Sequence, residues 1–246
     1  MASLGDASIQ AILLDIEGTA TPVDFVHNVL FSYARGHLGK FVHQPPEPIT
    51  LEIEELRKEH AADKHKGLDP PGWVDSSADL PLASLVNYVE WLMDRDRKSA
   101  PLKSLQGKIW VEGYRSGELR SEIYADVPAA FMRWSQQQRD ICIFSSGSRL
   151  AQKLLFAHTS IGDLTGFIRE YFDTTVGTKT TEQSYSRIAA TLQVPSSRMV
   201  FVSDTVKELE AAQVAGMKTL LCVRSPKCEV ETSGAAIVHT FDEIFP

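Results

Sequence analysis

Four short and almost uninterrupted apolar runs, Ile9 to Leu14, Ile141 to Phe144, Met199 to Val202 and Thr219 to Val223, fix the class of fold open to this chain. Runs of this kind suit parallel strands covered on both faces, because a sheet with one wet face alternates apolar and polar residues instead. Ala236 to His239 is a weaker fifth run. Helix-like stretches, Ser148 to Ala157, Glu182 to Leu192 and Val206 to Ala215, separate the later runs. This alternation from residue 125 onward predicts an α/β fold built on a doubly wound parallel sheet.

Well over a hundred residues lie between the first run and the second. That is far too many for one crossover connection, so a second domain must be inserted there. The expected division is a core of residues 1–20 and 125–246 and a mainly helical cap of residues 21–124. Leu82, Leu85, Val86, Val89, Leu92 and Met93 recur at helical spacing and define one apolar stripe. Leu51 to Ala62 reads as a charged amphipathic helix, Val23 to Val42 as another, and Gly67 to Pro81, with Pro70-Pro71, as a loop. Trp73, Trp91, Trp110 and Tyr114 are available for an apolar wall, although aromatic residues at such spacing mostly form core.

The formal charge of -7 and a pI near 5.5 argue against a nucleic-acid or anionic-membrane surface, either of which needs a basic face. A small anionic ligand stays compatible, because a few local cations and a metal can hold it. Cys142, Cys222 and Cys228 are odd in number, and the first two fall in strand-like runs, so they read as reduced thiols. The first residues lack a secretory pattern, and no window approaches eighteen uncharged apolar residues. A cytoplasmic protein is expected, with a nuclear pool open to it.

Candidate chemistry sits where the runs end. Asp15-Ile16-Glu17-Gly18-Thr19 directly follows the first run, placing two carboxylates where open α/β sheets carry their ligands. It reads either as a solvated acidic turn or as a nucleophile and metal ligand. The second run ends in Ser145-Ser146-Gly147-Ser148 at a helix start, a string that suits helix capping or an anion site. The third ends in Ser203-Asp204, with Glu208 one helical turn on. Asp204 could cap the following helix, or complete a site for Mg²⁺, which prefers one or two carboxylates plus phosphate oxygens. Lys179, after Gly177-Thr178, is either a solvated loop lysine or a cation for the same anion. The histidines of the insert, His27, His37, His60 and His65, show no metal-motif spacing.

An acid pair, then serines, then Lys, then an acid, each after or between strands, resembles the four motifs of the haloacid dehalogenase superfamily. Most phosphatases of that superfamily carry Asp two residues after the nucleophile, where this chain has Glu17. That departure, with Leu105-Gln106-Gly107, Tyr124-Ala125-Asp126-Val127, Ala151-Gln152-Lys153-Leu154-Leu155-Phe156, Phe172-Asp173-Thr174 and Ser184-Tyr185, resembles the bifunctional enolase-phosphatase (acireductone synthase) family nearly end to end.

The resemblance implies an enzyme of methionine salvage that enolises 2,3-diketo-5-methylthiopentyl 1-phosphate and then removes its phosphate. It implies one Mg²⁺ per subunit, a small phosphate-ester substrate, no nucleic-acid or membrane partner, and a monomer of cytoplasm and nucleus. By the same resemblance Asp15 is the nucleophile and a metal ligand, while Glu17 is the acid–base group and a ligand through its backbone carbonyl. Asp204 is the other ligand, and Glu208 orients the shell around it. Lys179, the Ser145 hydroxyl and the N–H groups around Ser146 hold the phosphate. The enolisation base is not singled out, Glu17 being one candidate. A capped phosphatase or phosphomutase acting on a sugar phosphate shares every core motif, and Glu17 weighs against it. A dehalogenase or a catalytically silent phosphate-binding module fits less well, because Asp15, Glu17 and Asp204 are all present.

Overall fold

A computed structural model describes residues 6–74, 80–225 and 234–246. The chain forms two compact units, one of Met1–Val26 with Arg120–Pro246 and the other of His27–Leu119.

In the first unit six parallel strands make one sheet: β1 (Ala11–Leu14), β2 (Asp140–Phe144), β3 (Ile168–Phe172), β4 (Met199–Ser203), β5 (Lys218–Cys222) and β6 (Ala236–Val238). Their spatial order is β3-β2-β1-β4-β5-β6, so the chain works outward from β1 on one side and then returns to its other side. β1 has strands on both flanks and none of its four residues reaches solvent, which explains why it carries no polar side chain. Within this unit lie the helices α5 (Val127–Gln136), α6 (Arg149–Ala157), α7 (Glu182–Leu192) and α8 (Val206–Val214), numbered after those of the other unit. Tyr185, Ile188 and Leu192 of α7 and Leu209 and Ala212 of α8 bury their apolar face with Leu13, Cys142 and Phe201 of the sheet. Fully burying one such leucine or isoleucine stabilises the fold by about 1.5–3 kcal/mol.

One strand departs from the sequence reading. β3 was not expected, because Ile168-Arg169-Glu170-Tyr171-Phe172 carries two adjacent charges. It is an edge strand, and there Arg169 and Glu170 can reach water while Ile168, Tyr171 and Phe172 are buried. Cys142 and Cys222 are buried, unbridged thiols, which burial pushes up to about 12. Cys228 lies outside the described residues.

The second unit is helical, with α1 (Ser32–His43), α2 (Thr50–His65), α3 (Leu80–Asp94) and α4 (Ala100–Ser116). Leu85, Val89 and Leu92 of the α3 stripe are fully buried. Trp110 and Tyr114 are buried as well, the Trp110 indole donating to the Leu30 carbonyl at 2.8 Å, and Trp91 stacks on Tyr88. The helix expected over 23–42 is divided, a π-helical stretch Phe25–Phe31 running into α1. The loop expected to reach Pro81 ends earlier, since Leu80 already begins α3. α4 is delimited by its own chemistry: Ser99 accepts from the Leu102 N–H, Pro101 sits in the first turn, and Gly117 ends it at φ 79°. Among the described residues no helix is long and apolar enough to cross a membrane.

Candidate active site

The sheet topology decides where side chains can converge. The chain order reverses between β1 and β4, and at such a switch the connections leaving neighbouring strands part, opening a crevice beyond the strands' carboxyl ends. Leu14 pairs with Ile143 of β2 and Val202 of β4, so continuing the register by one residue sets Asp15 level with Phe144 and Ser203. The Asp15 N–H still bonds the Val202 carbonyl at 3.0 Å, which holds this carboxylate on the rigid sheet. Asp15 is 5 % exposed.

Lys179 meets it. Its Nζ lies 2.5 Å from Asp15 Oδ1 and 2.6 Å from Glu208 Oε2, and all three side chains are largely buried. The lysine is aimed by its backbone. Ser184 Oγ donates to the Thr178 carbonyl and the Tyr185 hydroxyl to the Lys179 carbonyl, both at 2.6 Å. Tyr185 in turn packs edge-on to Phe144 and against Phe201, so β2 and β4 fix the loop through one ring. Gly177 makes the approach possible: at φ 131° a Cβ would lie 2.4 Å from Ser184 Oγ.

Ser203, fully buried at the end of β4, joins the same group. Its Oγ stands 3.0 Å from Glu208 Oε2 and 3.4 Å from Asp15 Oδ2, while accepting from the Thr205 N–H. One hydroxyl proton cannot serve both carboxylates, and the shorter contact favours Glu208. Asp204, next along, is exposed but presses its Oδ2 onto the turn after Asp15, only 2.1 Å from where a Gly18 Cβ would be. Gly18, at φ 70°, is thus required twice, by its conformation and by this carboxylate.

The electrostatics follow from the crowding of like charges. Burial alone would lower the Lys179 ammonium, but Asp15 and Glu208 outweigh it and hold its pKa above the ordinary lysine value. Desolvation first and the Asp15 charge second raise the carboxyls of Asp204 and Glu208. Among the described residues Asp15, Asp204 and Glu208 therefore have one paired cation, Lys179, near them, an excess of negative charge that a bound cation would relieve.

The other residues singled out by sequence have surroundings of their own. Glu17 is half-buried in the turn, where the Ile16 carbonyl accepts from the N–H groups of Ala20 and Thr21. Ser145 is buried, and its Oγ accepts from the Gly147 N–H at 3.1 Å; Ser146 is exposed. The N-terminus of α6 is not an open set of donors: Ser148 takes the Ala151 N–H and Asp173 that of Arg149. Gln152 locks this loop by donating to the carbonyls of Gly147 and Phe172, both at 2.8 Å. Sequence reasoning missed the bridging of Ser203, because a buried serine closing an apolar run gives no signal of its partners. The pairing Ser184-Tyr185 was visible as a motif, without its use as the anchor of Lys179.

The pattern of the haloacid dehalogenase-like hydrolases matches residues 9–216. Enolase-phosphatase E1 of Synechococcus elongatus is 46% identical over 239 residues, covering 96% of this chain and 98% of that one. The chain belongs to the enolase-phosphatase family of haloacid dehalogenase-like hydrolases. The family's enolase-phosphatase E1 from Cronobacter sakazakii is 44% identical over 243 residues and that from Drosophila mojavensis 37% over 244, each covering 97% of this chain and, respectively, 97% and 96% of the relative. In three dimensions the UTR4 protein of Saccharomyces cerevisiae superposes with a TM-score of 0.76 at 30% identity, over 95% of this chain and 99% of that one. CbbY of Rhodobacter sphaeroides, at a TM-score of 0.57 and 16% identity over 95% of each chain, shares the fold. This member of the enolase-phosphatase family is accordingly an enzyme of the hydrolase class.

Proposed function

We propose that this chain is an acireductone synthase: it enolises 2,3-diketo-5-methylthiopentyl 1-phosphate, then hydrolyses the phosphate ester to give 1,2-dihydroxy-3-keto-5-methylthiopentene and phosphate. The observation that carries the reading is the buried contact of Lys179 with Asp15 amid surplus carboxylates at the switch point of the sheet. An acid poised there with its counter-cation suits attack on a phosphate ester, where charge compensation and positioning do most of the work.

Asp15 attacks phosphorus, forming an aspartyl-phosphate as the ester bond breaks, and water then cleaves that acyl phosphate. Splitting one hard displacement in two lowers each barrier. Glu17 protonates the leaving oxygen and afterwards takes a proton from the attacking water, which suits a half-buried carboxyl group. Lys179 offsets the charge that accumulates between Asp15 and the phosphate. The Ser145 hydroxyl, which can donate its proton while its oxygen accepts from the Gly147 N–H, and the N–H groups around Ser146 hold the remaining phosphate oxygens.

The donor set fits Mg²⁺. Among the described residues no three His, Cys, Asp or Glu side chains gather into a metal cluster. Two carboxylates, Asp15 and Asp204, with the Glu17 carbonyl would hold the ion, and this all-oxygen set suits a metal that keeps several waters and takes substrate oxygens. The ion supplies Lewis-acid stabilisation of enolate and phosphate charge. The reading extends to a monomer of the cytoplasm and nucleus with one Mg²⁺ per subunit, and the net charge of -7 supports the lack of a nucleic-acid partner.

Glu17→Gln tests the assignment. Phosphate release should fall on the order of 10²–10⁴-fold, as loss of a general acid–base group does. Mg²⁺ should still bind, read by calorimetry, because the ligand is a backbone oxygen. Where a different base removes the carbon-bound proton, the enol phosphate will accumulate as a new ultraviolet absorbance. Phosphate release at the parent rate would refute the role of Glu17, and full turnover in the presence of chelator would refute the metal.

A further inference from the structure

Within the sheet unit, residues 19–21, ahead of its first boundary at Val26, and residues 121–126, just after it resumes at Arg120, are both held by one buried arginine. Arg224, two residues beyond β5, donates from Nε and Nη2 to the Thr19 carbonyl at 2.9 and 2.6 Å and from Nη1 to Asp126 Oδ2 at 2.7 Å. Nη1 also reaches the His239 carbonyl at 3.3 Å. Its guanidinium lies between the rings of Tyr124 and Phe241, 4.2 and 4.6 Å from their centroids, and the side chain is only 8% exposed. Asp126 is fixed from a second side by the Phe241 N–H at 2.5 Å. Independently of the arginine, the Tyr124 N–H bonds the Ala20 carbonyl and Thr21 Oγ1 donates to the Glu122 carbonyl.

The Thr19 carbonyl belongs to a turn with little slack. Gly18 donates to the Thr21 carbonyl at 2.8 Å, Ala20 and Thr21 donate to the Ile16 carbonyl, and Gly18 rests against Asp204. A two-pronged grip on Thr19 therefore sets where Glu17 stands relative to Asp15, which the sheet fixes separately. We infer that Arg224 is a positioning residue for catalysis, clamping the Glu17 turn through Thr19 and tying it to Asp126. The inference rests on the roles proposed for Asp15 and Glu17. It goes beyond them by assigning reaction geometry to a side chain that grips Thr19 and Asp126. A planar fork is needed for this grip: lysine would keep the charge but lose the paired bonds and the stacking.

Steady-state phosphate release by Arg224→Met, Arg224→Lys and Asp126→Asn is the test, with urea unfolding of each and Asp15→Asn alongside. Arg224→Met should lower kcat on the order of 10²-fold, since a misplacement of about 1 Å at the reacting groups costs that much. KM should move by less than about threefold, because substrate binding in the ground state is untouched. Arg224→Lys should recover only part of the rate, and Asp126→Asn should show the same kcat-selective loss on a smaller scale, which keeps the test decisive if Arg224→Met does not fold. A kcat within about twofold of the parent in folded Arg224→Met, or in Asp126→Asn where the first variant is unfolded, overturns the inference. So does a loss fully accounted for by the unfolded fraction. If Asp15→Asn retains phosphate release, the site reading itself fails and the inference falls with it; if Asp15→Asn is inactive and Arg224→Met is normal, only the inference fails.

Discussion

In the helical unit Asp63 is buried between the Tyr88 hydroxyl at 2.9 Å and Arg97 at 3.1 Å, and Glu52 lies between Lys108 at 2.9 Å and Ser104 at 2.7 Å. Glu59 completes the set by accepting from Ser99. At the end of β1, by contrast, Asp15 and Glu208 share Lys179, with Asp204 close enough to feel the Asp15 charge. Both regions take charge out of water, which costs several kcal/mol per ion unless partners compensate. The helical unit compensates internally, so its ion pairs serve the fold. The sheet unit leaves a surplus among the described residues, which suits the roles proposed above for Asp15 and for a bound cation.

The sharpest way to break this contrast is Asp15→Asn. Phosphate release should fall on the order of 10⁴–10⁶-fold, as removal of a catalytic nucleophile does. Urea unfolding should show undiminished stability, because Lys179 keeps Glu208 and one of the crowded negative charges is gone. A variant that loses stability and keeps activity would reverse the assignment of the two regions.

Asp63→Asn makes the opposite cut. Removing this buried charge, with Arg97 keeping Glu59 at 3.5 Å, should destabilise the protein by about 1–3 kcal/mol, read as a lower urea midpoint, while kcat per folded molecule stays at the parent value. Lys179→Met comes next: removing the buried cation while keeping its stem should lower kcat/KM on the order of 10²–10³-fold, the cost of deleting one preorganised electrostatic group. Unchanged kinetics would return Lys179 to a structural role.

The smallest effect concerns pH. Burial would raise the Glu52 carboxyl, but the Lys108 and Ser104 contacts outweigh it and hold the pKa below the ordinary 4.5. A depressed carboxyl contributes stability above that ordinary value and loses it as pH falls through the folded one. Glu52→Gln should therefore cost about 0.5–1 kcal/mol at neutral pH and flatten the fall in stability below pH 4.5. Parallel acid-denaturation curves for variant and parent would remove Glu52 from the compensated set.

How much of this was legible depends on whether the signal was local. The apolar runs disclosed β1, β2, β4 and β5 because burial on both faces leaves its mark on every residue. β3 was hidden, since an edge strand tolerates Arg169 and Glu170 and so loses that mark. Asp15, Lys179 and Asp204 stood out by falling after or between predicted strands. What sequence could not carry was which groups meet: the press of Asp204 on Gly18, the hydroxyl of Ser203 between two acids, and the reach of Arg224 to Thr19 each span well over a hundred positions or a buried side chain with no periodicity.

The central place of β1 has a consequence for how the protein is made. Its hydrogen-bonding neighbours begin at Asp140 and Met199, so β1 leaves the ribosome long before either partner exists. At roughly 5–20 residues per second, the wait for β4 is on the order of ten seconds or more. Residues 27–119, a compact unit of their own, emerge within that interval, while the wholly apolar β1 stays unpaired. Early release, or a pause that lengthens the interval, exposes Ala11–Leu14 to other chains, which makes the nascent N-terminal segment the place where a holdase would act.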